Sequence, residues 1–175
     1  MHEGLCQGYS LQQTAEDWAT AAGFCLQNSL LQGAGLGLFA KKDIPFYRDN
    51  PEDSNNFIGV YGGLIVEQNG GPIPTTSNEK YLHNRVANLA NFSGGKSTRY
   101  LICGSQASYT SYANHAVGTA VNAKLHQCMG TGVVVMLAKR SIKNGEEILF
   151  DYGTTLARGF TRVNANEILQ EQQYV

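Results

Sequence analysis

The sequence predicts a strand-rich domain of the α+β class. Short segments rich in branched and aromatic residues recur along the chain, turn-forming loops separate them, and only a few segments have helical spacing. A doubly wound parallel sheet would alternate strands with helices, so this scarcity of helices argues against it. The chain has 175 residues, which fits one domain whose core needs neither disulfides nor metal in order to fold.

Three segments have the spacing of amphipathic helices. Residues 10–22, SLQQTAEDWATAA, predict a helix that is capped by Ser10 and ended by Gly23. Residues 164–173 predict a helix near the end of the chain. Residues 79–92, EKYLHNRVANLANF, predict a further helix, because five apolar residues fall on one helical face: Tyr81, Leu82, Val86, Leu89 and Phe92.

Seven segments are predicted to be strands from their composition and length. They are FCLQNSLL (24–31), LGLFAKKDI (36–44), IGVYGGLIV (58–66), RYLICGS (99–105), VNAKLHQC (121–128), GVVVMLAKRSI (132–142) and EILFDYG (147–153). Polar loops rich in Pro, Gly, Asn and Asp at 45–56 and 68–78 are predicted to be surface insertions.

Charge and composition exclude several classes of function. A formal net charge of −1 gives no field that would draw the protein onto nucleic acid or a membrane, so we expect no direct nucleic-acid or membrane partner. The N-terminus lacks the order of a signal peptide, and no apolar stretch is long enough to cross a bilayer. The four cysteines are scattered without a C-x-x-C pair. We therefore expect an intracellular protein, nuclear or cytoplasmic.

The run GAGLGLF, Gly33 to Phe39, joins two predicted strands. Its alternate glycines permit backbone angles that other residues resist, and they leave room for a ligand against the main chain. Rossmann binding is disfavoured, because a strand rather than a helix follows and the third glycine is missing. Taken alone, the run indicates a tight turn.

Two further stretches carry polar residues in unusual places. YANHAVGTAVN (112–122) sets Asn114 and His115 among small apolar residues, and an unpaired buried polar group costs a kilocalorie or more, so exposure or a ligand must satisfy them. AKRSIKNGEEILFDYG (138–153) has an Asn-Gly turn and predicts a local hairpin. Its adjacent Glu146 and Glu147 would face opposite sides of a strand, which favours separate structural pairing over an acid pair.

Together these stretches resemble the protein lysine methyltransferases of the SET domain family. Four motifs occur in chain order: LLQGAGLGLFAKKDI (30–44), IGVYGGLIV (58–66), YANHAVGTAVNAKL (112–125) and AKRSIKNGEEILFDYG (138–153). The resemblance implies a β-clip fold of several small sheets, in which the Asn-His segment and the segment ending at Tyr152 thread past each other like a knot. It also implies S-adenosylmethionine as methyl donor and a lysine-containing protein or peptide as substrate.

The resemblance also implies roles for individual residues and a domain layout. Tyr152 would be the principal catalytic residue, and Tyr61 would shape the lysine channel. Cofactor contacts would come from Tyr152 and six further residues: Ala34, Gly35, Leu36, Gly37, Asn114 and His115. The expected layout is an N-terminal helical extension (1–23), a SET-like catalytic domain (24–153) with an inserted loop and helix region (67–98), and a C-terminal tail or helix (154–175).

Departures from the family pattern leave alternatives open. The loop after His115 is two residues longer than usual before Asn122, so the role of Asn122 is open. One alternative is a catalytically inactive SET-fold module that binds a peptide or the cofactor. A second is a metal or Cys-His hydrolase that uses His115, His126 and Cys128. The sequence does not indicate an oligomeric state, a substrate protein or the number of methyl groups added.

Overall fold

A computed structural model describes residues 10–48, 54–68, 81–89, 99–128 and 133–152. Within these residues the chain forms one α-helix, three short 3₁₀ turns and ten strands. Strands thus outnumber helices, and the predicted strand-rich α+β class is confirmed. The helix predicted at 164–173 lies outside the described residues.

The helix α1 spans Leu11–Ala22. The strands, in chain order, are β1 (Phe24–Asn28), β2 (Leu36–Ala40), β3 (Phe57–Val60), β4 (Gly63–Gln68), β5 (Tyr81–Leu89), β6 (Arg99–Ser105), β7 (Asn114–His115), β8 (Ala123–Gln127), β9 (Val134–Ala138) and β10 (Leu149–Phe150). The 3₁₀ turns span Ser54–Asn56, Tyr109–Tyr112 and Gly118–Ala120.

The predicted N-terminal helix and both of its ends are confirmed by α1. The hydroxyl of Ser10 accepts a hydrogen bond from the Gln13 main-chain N–H at 3.0 Å, which is the expected N-cap contact. Gly23 ends the helix in the left-handed conformation, with φ of 86°. Ala15 and Ala19 are fully buried, so α1 packs one face into the core. In the described part of the chain, no helix is both long and apolar enough to cross a membrane.

The strands form three small sheets. β1 and β2 make an antiparallel pair, β4, β6 and β5 make a three-stranded sheet in that order, and the third sheet has the order β3-β9-β8-β10-β7. Most pairs are antiparallel, but β10 runs parallel to both of its neighbours. Several small sheets rather than one large one are what the sequence resemblance implies.

The segment predicted as one strand over 58–66 is two strands, β3 and β4. The break lies at Tyr61 and Gly62. The Tyr61 N–H donates to the Val134 carbonyl at 2.9 Å, whereas the Gly62 carbonyl accepts from the Ser105 N–H at 2.9 Å. The chain therefore leaves one sheet and enters another at this point, a change of partner that sequence periodicity does not register.

The helix predicted over 79–92 is wrong, because Tyr81–Leu89 forms the strand β5. β5 pairs with β6 in antiparallel register, with Val86 opposite Cys103 and Leu89 opposite Tyr100. β6 is also paired to β4 on its other edge. A long-range strand partner thus satisfies the main chain of this segment and overrides a local pattern that also fits a helix.

The C-terminal strand β10 threads between two strands that follow one another in sequence. It lies between β7 and β8, with Leu149 opposite Asn114 and Phe150 opposite Ala123. The connection from β7 to β8, residues 116–122, must therefore cross β10. This is the knot-like threading that the resemblance implies.

The Asn-Gly turn forms, but the local hairpin predicted around it does not. Gly145 has φ of 83°, and the Glu146 N–H donates to the Lys143 carbonyl at 3.0 Å. The residues on either side pair with the β2 region instead of with each other, as shown by isolated bridges between Phe39 and Glu147 and between Ile44 and Ile142. This arrangement brings the run Gly33 to Phe39, called the G-x-G run below, next to residues 138–152, called the C-terminal segment below.

Candidate active site

The three segments singled out in the sequence meet in the folded chain. The side-chain amide of Asn114 donates to the main-chain carbonyl of Leu36 at 3.3 Å, which joins β7 to the G-x-G run. The Tyr152 N–H donates to His115 Nδ1 at 3.1 Å, which joins the end of the C-terminal segment to the same strand. The structure therefore brings Leu36, Asn114 and Tyr152 together.

The G-x-G run forms an open turn before β2. Gly33 and Gly35 have φ of 75° and 72°, and an added Cβ at either residue would meet no atom within 4 Å. The Gly35 carbonyl accepts from the Ser29 N–H at 2.7 Å, and the Ala34 N–H donates to the Leu31 carbonyl at 3.1 Å. The turn is thus fixed by its own main chain and leaves open space on its glycines.

Gly37 is needed for a different reason. A Cβ at this residue would overlap the Glu147 Oε1 atom, because that carboxylate lies directly against the main chain of β2. Gly37 therefore makes room for a protein side chain. The cofactor contact that the resemblance implies for the main chain of Gly37 stays a prediction.

The amide nitrogen of Asn114 is bound by protein acceptors. It donates to the Leu36 carbonyl and, at 2.8 Å, to the Glu147 carboxylate, and the residue is 4% exposed. The expectation that a ligand satisfies this amide is therefore wrong for its nitrogen, because the fold itself supplies two acceptors. Asn114 therefore links separate segments of the chain. Its two hydrogen bonds offset the free-energy cost of burying the amide nitrogen.

His115 supports the main chain at Tyr152. Its Nδ1 accepts a hydrogen bond there, so that nitrogen is unprotonated in this arrangement. Burial lowers the pKa of His115 below its usual 6.5, while Asp151, with its carboxylate 3.9 Å from Nδ1, and the Phe150 main chain act in the opposite direction. The neutral ring is the form that fits the contact.

The catalytic candidate Tyr152 is held in a defined orientation. Its hydroxyl donates to the Ala113 carbonyl at 2.8 Å, and the side chain is 2% exposed. Its ring centroid lies 4.6 Å from that of Phe150 and 5.2 Å from that of His115. Because the phenol uses its proton on Ala113, its oxygen presents lone pairs as an acceptor.

Tyr61, the second catalytic candidate, reaches the same region through Phe150. The rings of Tyr61 and Phe150 meet edge to face at 5.8 Å, and both residues are almost fully buried. Phe150 therefore lies against both tyrosines. The structure brings Tyr61 and Tyr152 to one aromatic cluster, although 91 positions separate them in sequence.

The structure shows the contacts of Asn122, whose role the sequence left open. It is fully buried, its Nδ2 donates to the Glu147 carbonyl at 2.7 Å and to Glu146 Oε1 at 3.1 Å, and its Oδ1 accepts from the Leu149 N–H at 2.8 Å. The longer loop before it contains the 3₁₀ turn Gly118–Ala120. Asn122, directly before β8, thus joins this part of the chain to the C-terminal segment.

The two adjacent glutamates pair separately, as predicted. Glu146 forms an ion pair with Arg140 at 2.5 Å and accepts from the Lys143 N–H at 2.9 Å. Burial would raise the pKa of Glu146, but the hydrogen bonds from Arg140, Lys143 and Asn122 outweigh it and lower the pKa below 4.5. Glu147 instead lies in the interior beside Asn114.

Sequence reasoning missed the importance of Glu147 and of Ser29. The Ser29 hydroxyl donates to Glu147 Oε1 at 2.7 Å across 118 positions of sequence. The sequence offered only the place of Glu147 at the start of the predicted strand 147–153. Ser29 gave no signal, because it lies inside the predicted strand 24–31 without any motif around it.

The described residues do not assemble a metal site. Among them no three His, Cys, Asp or Glu side chains come together in a way that could hold an ion. The hydrolase alternative needs His115, His126 and Cys128 to converge, and no such cluster forms in the described parts of the chain.

The fold and the site define a domain of small sheets in which an Asn-His strand and a threaded C-terminal strand flank a G-x-G turn. The family model for the SET domain matches residues 35–153, more than half of the chain. The chain belongs to the SET domain family, whose usual role is protein lysine methylation. The predicted resemblance is confirmed.

Proposed function

We propose that the protein is a lysine methyltransferase that uses S-adenosylmethionine to methylate a lysine side chain of a protein or peptide. The family membership supports the class of reaction. The observation that carries the proposal is that the G-x-G turn, the Asn-His strand and the Tyr152 segment meet. The Asn114 amide contacts the Leu36 carbonyl at 3.3 Å, and the Tyr152 N–H contacts His115 Nδ1 at 3.1 Å.

The open turn at Gly33 and Gly35 suits the binding of S-adenosylmethionine. Gly33 and Gly35 offer main chain with open space beside it, which is what a ligand that lies along a backbone needs. Ala34 to Gly37 would contact the donor through main chain, and Asn114 and His115 would border it. When bound, S-adenosylmethionine supplies a methyl group on a positively charged sulfur.

The chain's own residues suit the acceptor side of the reaction. Methyl transfer needs a neutral amine, yet a lysine of pKa about 10.4 is neutral only about once in 2,500 at pH 7, which corresponds to about 4.6 kcal/mol. An apolar site lowers a lysine pKa. Tyr61, Phe150 and Tyr152 provide buried aromatic surface of this kind.

Tyr152 would orient the amine. Its hydroxyl proton is held by the Ala113 carbonyl, so the phenol oxygen can accept an N–H from the entering amine. Orientation of two reactants in line can supply several kilocalories of the barrier without a strong base. Tyr61 would shape the channel through its contact with Phe150.

Transfer of radiolabelled methyl groups from S-adenosylmethionine to a lysine-rich protein mixture tests the proposal. We expect labelling by the natural protein and a drop of at least about 100-fold in rate for Tyr152→Phe, in line with the cost of losing a positioned polar group at a reacting centre. Tyr47→Phe is the matched control, since Tyr47 is 47% exposed and outside the site.

The outcomes separate the proposal from its main rival. Donor binding without transfer would identify an inactive binding module of the same fold. An unchanged rate in Tyr152→Phe would show that the phenol is not the catalytic group. Absence of both binding and transfer would overturn the proposed function itself.

A further inference from the structure

Glu147 is a buried carboxylate that collects hydrogen bonds from two distant segments. Its Oε1 accepts from the Ser29 hydroxyl at 2.7 Å and from the Asn114 amide at 2.8 Å, and its Oε2 accepts from the Leu30 N–H at 3.0 Å. The residue is 2% exposed. The carboxylate therefore joins the connection between β1 and β2 to the Asn-His strand.

The same carboxylate lies against the G-x-G run. Its Oε1 would overlap a Cβ at Gly37, so the carboxylate and the β2 main chain are in direct contact. Asn114 donates from one amide nitrogen both to Glu147 and to the Leu36 carbonyl. The main chain of the run is thus held between Glu147 and Asn114.

Ser29 extends this contact into the open turn. Its hydroxyl oxygen accepts from the Leu31 N–H at 3.0 Å, and its N–H donates to the Gly35 carbonyl at 2.7 Å. The carboxylate, the hydroxyl and the turn therefore form one continuous chain of hydrogen bonds. Such a chain restricts the turn before any ligand arrives.

We propose that Glu147 is a positioning residue that holds the Gly35–Gly37 run against Asn114 and thereby sets the affinity for the methyl donor. The inference rests on the proposed function, because it concerns the same site. Three hydrogen bonds to Glu147 hold these segments together, and a binding surface that is already ordered loses less entropy when its ligand binds. Removing the carboxylate should weaken donor binding more than turnover.

The neighbouring Glu146 provides a matched control. Glu146 carries the same carboxylate, but its carboxylate pairs with Arg140 and also accepts from the Lys143 N–H and the Asn122 amide, none of which lies in the G-x-G run. The three groups that bind Glu147, within the described residues, are uncharged donors. Both Glu146→Gln and Glu147→Gln remove a carboxylate, but only Glu147→Gln removes hydrogen bonds that hold the turn. Comparison of the two variants thus separates these effects.

The test measures the dissociation constant of S-adenosylmethionine by isothermal titration. Glutamine keeps the size of the side chain but has only one acceptor oxygen, so at least one of the three donors faces an NH₂ group. We expect Glu147→Gln to raise the dissociation constant about tenfold, and Glu146→Gln to change it less than about twofold. Equal affinity in Glu147→Gln and the natural protein would overturn the inference.

A kinetic measurement distinguishes positioning from a general loss of structure. We expect Glu147→Gln to raise the KM for the donor while kcat at saturating donor stays within about twofold, because the lost bonds act on binding. A fall in kcat with an unchanged donor KM would contradict the inference.

Hydrogen exchange separates failure of this inference from failure of the proposed function. We expect the Leu30 and Leu31 amides to exchange at least about tenfold faster in Glu147→Gln than in the natural protein, with α1 unchanged. If the natural protein does not bind the donor, the proposed function fails, and the exchange result still shows whether Glu147 holds the turn.

Ser29→Ala serves if Glu147→Gln does not fold. It removes one donor to the carboxylate and the acceptor for the Leu31 N–H while Glu147 stays in place. We expect donor affinity to fall about threefold. An unchanged affinity in a folded Ser29→Ala protein would overturn the inference.

Discussion

Asn122 and Leu149 are joined by two hydrogen bonds in opposite directions. The Asn122 N–H donates to the Leu149 carbonyl at 3.0 Å, and the Leu149 N–H donates to the Asn122 side-chain oxygen at 2.8 Å. Leu149 lies on β10, the strand that threads between β7 and β8. This residue pair therefore links the connection between β7 and β8, residues 116–122, to β10.

Asn122→Ala should destabilise the protein strongly. It removes every side-chain bond of a fully buried residue and leaves the Leu149 N–H without that partner. We expect the free energy of unfolding to fall by about 2 to 4 kcal/mol, measured by urea denaturation. Asn28→Ala, at an exposed position of β1, should change it by less than about 0.5 kcal/mol. Similar losses in both variants would contradict this role of Asn122.

Gly35 and Gly37 should respond to substitution in different ways. Gly37→Ala places a methyl group on the Glu147 carboxylate, so we expect a loss of about 1 to 3 kcal/mol in unfolding free energy and weaker donor binding. Gly35→Ala meets no neighbour, but its φ of 72° costs a side-chain-bearing residue about 1 to 2 kcal/mol.

A second change identifies which cause applies at each glycine. Replacement by Asn, which tolerates the left-handed conformation, should recover much of the stability at position 35 and none at position 37. Thermal unfolding of the four variants measures this. Recovery at position 37 would show that overlap with Glu147 is not the cause there.

The depressed pKa of His115 should make stability depend on pH. Between the lowered pKa of the folded state and the ordinary value of 6.5, the unfolded chain binds a proton that the folded chain does not. Falling pH therefore favours unfolding, and the stability is lost as pH drops below about 6.5. Urea denaturation from pH 8 to pH 5 should show this slope, and His115→Gln should reduce it. Equal slopes would contradict the assignment.

Glu146 should act in a more acidic range. Its pKa is lowered in the folded state, so its contribution to stability is present above about 4.5 and is lost as pH falls through the folded pKa. Arg140→Gln should cost about 1 kcal/mol at pH 7 and flatten the acid loss between pH 5 and pH 3. Lys143→Gln, which breaks an exposed pair with Asp43, should have a smaller effect. The reverse order would contradict this prediction.

Local sequence signals were sufficient for the elements with local causes. The Ser10 cap and Gly23 end of α1 follow from side-chain chemistry within a few residues, and RYLICGS coincides with β6. The Tyr81–Leu89 segment was not predictable in this way, because its strand form depends on pairing with β6. The hairpin predicted around Gly145 does not form for the same reason, because the residues on either side of the turn pair with the β2 region.

The candidate site was predictable in its parts and not in its connections. Order and spacing of motifs were sufficient to single out Leu36, Asn114 and Tyr152. The bonds that hold them together run through Glu147 and Ser29, which are 118 positions apart. A single sequence contains no record of such contacts, so the discovery that protein acceptors satisfy Asn114 required the structure.

Hydrogen–deuterium exchange with and without S-adenosylmethionine tests the central claim most directly. A single donor site built from the G-x-G turn, the Asn-His strand and the Tyr152 segment predicts that added donor slows exchange in 31–37, 114–116 and 149–152 together. Slowing confined to other parts of the chain, such as β4 to β6, or no change at saturating donor would contradict that claim.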